Sequence, residues 1–237
     1  MKIIECVQGT EDWKKARACR VTGTRLESVM GTPIARAALI AELIAEEGTE
    51  HLKSVNVSKI MERGTEEEVF AIQTFERRTK KKVARVGLCV SEKRDWHALS
   101  PDGLIADKSG KYSEAIEVKC PNSDTAILYK IENMVPMEET GLLSKKGEPL
   151  SGAPFIGIPS EYKWQIVNYF LVNEDLKKLH FAVYDARFIS DDAKLYVVTI
   201  ERENEILQAA MAEAEIELDK FRADWMRWKE IVLPTNF

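Results

Sequence analysis

Apolar residues in the first third of the chain recur at the three- and four-residue spacing of helices buried on one side. Helices are predicted from Glu11 to Arg17, from Arg25 to Met30 and from Ile34 to Glu46, with Gly31-Thr32-Pro33 separating the last two. A longer helix is predicted from about Ser58 to Thr79, with Val69, Ile72 and Phe75 as its apolar stripe and Gly64 weakening its middle. The pattern then changes to strands, at about 82–91, 96–99, 103–107 and 114–119, followed by a helix near Thr125–Ile131. Met134 to Pro159 is irregular, and Tyr162 to Val172 reads as a buried helix. Leu179–Tyr184 and Leu195–Ile200 alternate as strands, and an amphipathic helix runs from Asn204 to about Val232. This order implies an α/β or α+β core with a mixed central sheet flanked by helices. No repeat or linker divides the chain, so it reads as one domain over 1–237, with a helical part (1–80), a sheet core (82–200) and a C-terminal helix (204–232).

The chemistry concentrates where the strands begin. Ser100-Pro101-Asp102-Gly103 reads as a turn, because proline presets φ and glycine tolerates the backbone angles of a tight reversal. Ala115-Ile116-Glu117-Val118-Lys119 reads as a strand that ends at Pro121. Glu117 and Lys119 then share one face, while Ile116 and Val118 face the other way into a core. A hairpin returning from Asp102 would set its carboxylate beside Glu117. Carboxylates at that range repel in a low-dielectric cleft and call for a cation, for which Mg2+ is the natural choice because it takes hard oxygen ligands and bridges to phosphate. An acid-x-lysine pair on a strand is common, however, and the motif by itself leaves an ordinary structural reading open.

Composition narrows the class. The chain has 237 residues, 45% of them hydrophobic and 31% charged, as in a soluble globular protein. The net charge of −5 does not favour nucleic acid, although an enzyme needs only a basic groove. Basic clusters occur at Arg77, Arg78, Lys80, Lys81, Lys82 and Arg85, and at Lys14, Lys15, Arg17 and Arg20, where a solvated helix face is the alternative reading. The four cysteines, Cys6, Cys19, Cys89 and Cys120, have no Cys-x-x-Cys spacing, which argues against zinc, iron–sulfur or disulfide frameworks. With no signal-like or membrane-length apolar run, a cytoplasmic location is expected.

Four segments together resemble the lambda exonuclease (YqaJ-type viral recombinase) family of PD-(D/E)xK nucleases. They are Gln8-Gly9-Thr10-Glu11-Asp12-Trp13 continuing through Arg17 to Val21-Thr22-Gly23-Thr24; Gly64-Thr65-Glu66-Glu67-Glu68-Val69-Phe70-Ala71 ending in Phe75-Glu76; Ser100-Pro101-Asp102-Gly103-Leu104 with Glu117-Val118-Lys119-Cys120-Pro121; and Pro159-Ser160-Glu161-Tyr162-Lys163-Trp164-Gln165 followed by Tyr169. They run in family order over most of the chain.

The resemblance implies roles. Asp102, Glu117 and the Val118 carbonyl would hold metal, with Glu68 facing them from a helix, although Glu66 and Glu67 compete with Glu68. Two Mg2+ ions per site are implied, with Mn2+ able to substitute. Lys119 would orient or deprotonate the attacking water. Arg17, Thr24 and Ser100 would contact a 5′-phosphate, and Gln165 would help bind the DNA terminus. Trp13 and Tyr169 are further candidates, each with plain core packing as the alternative; Trp225 and Trp228 are read as packing or subunit contacts. The stretch between Lys119 and Gln165 is longer than in lambda exonuclease, with the extra residues expected around Glu138 to Pro154.

The implied activity is Mg2+-dependent 5′→3′ digestion of double-stranded DNA ends to mononucleotides, leaving a 3′ single-stranded tail. Family members of this kind act in phage or prophage recombination as homotrimeric rings beside a single-strand-annealing protein. The rivals are another PD-(D/E)xK endonuclease and a catalytically inactive DNA-binding protein on the same fold.

Overall fold

The computed structural model describes residues 1–49, 59–134, 155 and 157–233. The extra residues expected around 138–154 lie outside the described ones. The helices are α1 (Glu11–Arg17), α2 (Gly23–Met30), α3 (Pro33–Thr49), α4 (Lys59–Thr79), α5 (Ser123–Met134), α6 (Lys163–Val172), the short α7 (Asp191–Lys194) and α8 (Glu205–Val232). The strands are β1 (Lys2–Ile4), β2 (Leu88–Val90), β3 (Ala98–Leu99), β4 (Gly103–Ala106), β5 (Tyr112–Lys119), β6 (Lys178–Tyr184) and β7 (Leu195–Glu201).

The fold is mixed α/β, and its strands form two sheets. One is three-stranded and antiparallel in the order β1-β2-β3; the other is four-stranded in the order β4-β5-β6-β7. In the second, β4 and β7 pair antiparallel with β5 and β6 respectively, and β5 and β6 run parallel. The segment expected as a strand over 82–91 splits: Leu88–Val90 joins the small sheet, while Ala84 bridges Leu104 beside β4.

Both faces of the four-stranded sheet are covered. On one, Ile105, Ile116, Val118, Ala182, Tyr184 and Leu195 pack against Ala71, Ile72 and Phe75 of α4. The buried stripe of α4 therefore excludes Val69, which is 38% exposed, contrary to the sequence expectation. On the other face, Ala115, Leu179, Phe181 and Val183 belong to the main core with Ile166, Val167, Tyr169 and Phe170 of α6. Helix α8 is capped by Asn204, whose side chain accepts from the Ile206 and Leu207 N–H groups. It buries Leu207, Ala210, Ala214, Leu218, Phe221 and Trp225 at helical spacing, and each large apolar side chain contributes roughly 1.5–3 kcal/mol.

One glycine near the site is required by close approach, and a second makes a tight contact. A Cβ on Gly103 would stand 2.2 Å from Val83 Cγ1, so only glycine lets the 83–85 segment lie against the start of β4. A Cβ on Gly23 would stand 3.2 Å from Gln165 Cγ, which brings the start of α2 against α6.

Candidate active site

Asp102 immediately precedes β4, and Gly103 is paired with Ile116 of β5. That register places the Asp102 carboxylate against the far end of β5, where Oδ2 accepts from the Val118 N–H at 2.7 Å. Alternation along β5 turns Glu117 away from α4 and toward α6. There Glu117, 2% exposed, meets three donors. Lys119 Nζ and Gln165 Nε2 both reach its Oε1 at 2.6 Å, and the Tyr169 hydroxyl donates to Oε2. Tyr169 also accepts from the Asp102 N–H at 3.2 Å, tying the two acids together through one buried phenol. Lys119 Nζ donates to Gln165 Oε1 at 3.0 Å and lies 4.8 Å from the centre of the Tyr162 ring.

Glu68 enters from α4. It begins the sequence 68, 71, 72, 75, the i, i+3, i+4, i+7 pattern whose other members, Ala71, Ile72 and Phe75, are buried on the sheet. Its carboxylate pairs with Arg85. Glu67 turns instead toward Arg63, and Glu66 is exposed, so of the three candidates only Glu68 joins this cluster.

The electrostatics show a crowded acidic centre. Burial, then the charges of Glu117 and Glu68, push Asp102 well above the usual carboxylate range against the pull of Lys119 and the Val118 N–H. Burial also raises Glu68; Arg85 opposes that shift and Glu117 adds to it. Burial alone would lower Lys119, but Glu117 and Asp102 outweigh it and hold its pKa above the ordinary lysine value. Among the described residues, no group of three or more acidic, histidine or cysteine side chains is already drawn together as a metal cage. The carboxylates are instead held by protein donors. Their hard oxygens and mutual repulsion nonetheless suit Mg2+ or Mn2+, with Asp102, Glu117, Glu68 and the Val118 carbonyl as the residues that would hold it.

A second constellation abuts the first through Ser100-Pro101-Asp102. Trp13 of α1 donates its indole N–H to Ser100 Oγ at 3.1 Å. The Arg17 guanidinium carbon stands 4.2 Å from the Trp13 ring centre, a cation–π geometry, and Arg17 donates to Thr22 Oγ1 at 3.3 Å. Burial, then Arg25, lower the Arg17 pKa to about 10, which leaves it charged at neutral pH. Trp13 is therefore a strut between Arg17 and Ser100 and no part of the buried core. Thr24 is exposed on the first turn of α2, and the hydroxyl bonded to Arg17 belongs to Thr22.

The family follows from comparison of the chain with known proteins. A model of the YqaJ-like viral recombinase domain matches residues 12–174, which span both constellations. The chain belongs to the YqaJ-like viral recombinase family. Among solved structures, an alkaline exonuclease (LHK-Exo) from Laribacter hongkongensis is 29% identical with a TM-score of 0.72, over 94% of this chain and 96% of that one. LHK-Exo in complex with dAMP matches at 29% identity, a TM-score of 0.71 and the same coverage. A phage related exonuclease from Haemophilus somnus 129PT, at 15% identity and a TM-score of 0.50 over 86% of this chain and 96% of that one, shares the fold. A comparison with curated proteins returned no match.

This YqaJ-like chain also recruits residues that sequence reasoning missed. Arg85 pairs with Glu68, Tyr162 lies under Lys119, and Gln8 Nε2 bridges the Val86 and Pro101 carbonyls at 3.0 and 2.8 Å, pinning the turn that carries Asp102. Gln8 opens the first of the four family-like segments and Arg85 ends a basic cluster, but nothing in the sequence pointed to these partners. Much of the basic cluster is committed internally: Arg78 donates to the Leu195 and Asp191 carbonyls, and Lys81 pairs with Glu114.

Proposed function

We propose that this protein is a metal-dependent exonuclease that digests one strand of duplex DNA from its 5′ end, releasing mononucleotides and leaving a 3′ single-stranded tail for recombination by strand annealing. The observation that carries the reading is that the Asp102–Glu117–Lys119 cluster is joined through Ser100-Pro101 to a half-buried, charged arginine on a tryptophan face. An acidic, lysine-bearing centre beside a guanidinium and a serine hydroxyl suits a substrate gripped at a terminal phosphate. The dAMP bound by a 29%-identical relative accords with a mononucleotide product.

In this reading Arg17 and Ser100 bind the 5′-phosphate, since a guanidinium forks onto phosphate oxygens and a hydroxyl donates to another. Gln165 and Tyr169 fix the Glu117 carboxylate, and Lys119, kept charged by Glu117 and Asp102, orients the attacking water and offsets negative charge building on the phosphate. A divalent cation held by Asp102, Glu117, Glu68 and the Val118 carbonyl would polarise the scissile phosphate and acidify bound water. Assembly as a homotrimeric ring and action beside a single-strand-annealing protein, in the cytoplasm of a phage's bacterial host, belong to the same reading. No helix among the described residues is long and apolar enough to cross a membrane.

The test is digestion of linear duplexes labelled at either end, with and without Mg2+, beside a closed circular control. Early release of 5′-label as mononucleotide, with intact circles, is the expected result. Cutting of circles would make the protein an endonuclease on the same fold, and no Mg2+-dependent cleavage of any substrate would make it a DNA-binding protein.

A further inference from the structure

Arg85 occupies a position that the cleavage chemistry leaves without a task. The segment carrying it runs antiparallel beside β4: the Ala84 N–H donates to the Leu104 carbonyl at 2.7 Å, and the Leu104 N–H returns to the Ala84 carbonyl at 2.9 Å. Arg85 therefore lies level with Gly103, next to Asp102. The Val83 side chain seated on Gly103 and the Gln8 bridge between Val86 and Pro101 hold both sides of this short segment. The backbone that presents Arg85 is thus fixed, while its side chain remains 53% exposed. Its partner Glu68 is less accessible, at 18%.

A half-exposed guanidinium paired with a recessed carboxylate is poised to exchange partners. The pair is weak enough to open, because one member remains in water. Once a cation holds Glu68, the two positive charges would compete for one carboxylate. The guanidinium then lies beside the mouth of the site, where a DNA backbone phosphate would offer matching oxygens. We propose that Arg85 is a charge-balancing positioning residue: it neutralises Glu68 while no cation is present, and turns to a backbone phosphate of the bound DNA strand when the cation engages Glu68. This proposal rests on the nuclease reading and adds to it a substrate contact and a competition for the cation.

The two roles give opposite signs in two binding measurements, neither of which reads activity. Mg2+ is titrated calorimetrically into DNA-free protein, and binding of a 5′-phosphorylated duplex is followed by fluorescence anisotropy with Mg2+ present, in a Lys119→Ala background that spares the DNA. Arg85→Ala removes a competitor for Glu68, so Mg2+ binding should tighten about fivefold, the scale of a half-exposed ion pair. Duplex binding should weaken by a similar factor through the lost phosphate contact, with a shallower dependence on salt. Arg85→Lys keeps the charge and should stay near the parent in both. Weakening of both, with a lowered melting temperature, would show Arg85 to be a structural strut and overturn the proposal, as would no change in either. The nuclease reading fails separately, and this proposal with it, if Arg85-intact protein shows no Mg2+ binding that Asp102→Asn removes.

Discussion

Gln165 donates to Glu117 Oε1 at 2.6 Å, the same oxygen that Lys119 reaches, and accepts from Lys119 through its own Oε1 at 3.0 Å. One amide thereby fixes the rotamers of both an acid and a base. Its orientation is dictated by these partners, since only the flip that places Nε2 toward the carboxylate satisfies all three groups.

Gln165→Leu should retain shape and lose that brace. Turnover is expected to fall about 10–100-fold through misplacement of Glu117 and Lys119, while stability falls by about 1 kcal/mol for the lost hydrogen bonds. Single-turnover cleavage and thermal melting check the two together. A melting loss without a rate loss would confine Gln165 to packing.

Asp102→Asn is expected to act in opposite directions on activity and stability. Cleavage should slow by at least ~10³-fold, about 4 kcal/mol in the barrier. Melting in EDTA should rise, by about 1 kcal/mol of stability, because one of three mutually repelling carboxylates is neutralised while the amide oxygen can still accept from Val118. Any Mg2+-induced rise in melting temperature should vanish in the variant. Near-normal turnover would remove Asp102 from the metal site.

Arg17→Ala tests the proposed binding of a 5′-phosphate. It should cost on the order of tenfold in rate on 5′-phosphorylated duplexes, the scale of a charge-assisted hydrogen bond, and bring 5′-hydroxyl and 5′-phosphate ends to similar rates. Trp13→Phe keeps a ring under Arg17 but removes the bond to Ser100 Oγ, so it should retain part of the preference. Equal losses on both kinds of end would instead mark Arg17 as a general phosphate contact.

What the sequence made legible was local. Asp102, Glu117 and Lys119 could be read because a Pro-Asp-Gly turn and strand alternation act over a few residues, and the structure brings all three together. Helices α1 to α4 and α8 were visible from periodicity, with boundaries moving by a few residues. The stripe on α4 was misjudged at Val69, because the sheet-facing set starts at the half-buried Glu68, an acid that a hydrophobicity pattern passes over. Strand β1 was missed because its three residues gain strand character only by pairing with Leu88–Val90, far along the chain. Arg85 was hidden for the same reason, since its partner is set by the bridge between Ala84 and Leu104. Trp13 was ambiguous from spacing alone; only the tertiary contacts show that it lies between Ser100 and Arg17.

His97 provides a pH-dependent test of the scaffold, away from the acidic centre. It is fully buried beside β3, with Nε2 2.6 Å from Asn168 Oδ1. Asn168 spends its amide hydrogen on the Ala98 carbonyl at 2.9 Å, so its oxygen must face His97, which is then the Nε2–H donor. Nδ1 is buried and has no hydrogen-bond partner among the described residues. Burial, partly opposed by the Asn168 bond, lowers the His97 pKa from 6.5 to about 4, with Arg94 adding slightly. The unfolded chain therefore takes up a proton near pH 6.5, whereas the folded chain resists until about pH 4. The stabilisation linked to the neutral ring is complete above the unfolded value and is lost as pH falls through that window, by roughly 3 kcal/mol at most. Urea unfolding of the parent should weaken correspondingly between pH 6.5 and 4. His97→Gln can still donate to Asn168 but cannot titrate, so its unfolding free energy should fall less steeply over the same range. Parallel slopes for the two proteins would place the acid sensitivity elsewhere.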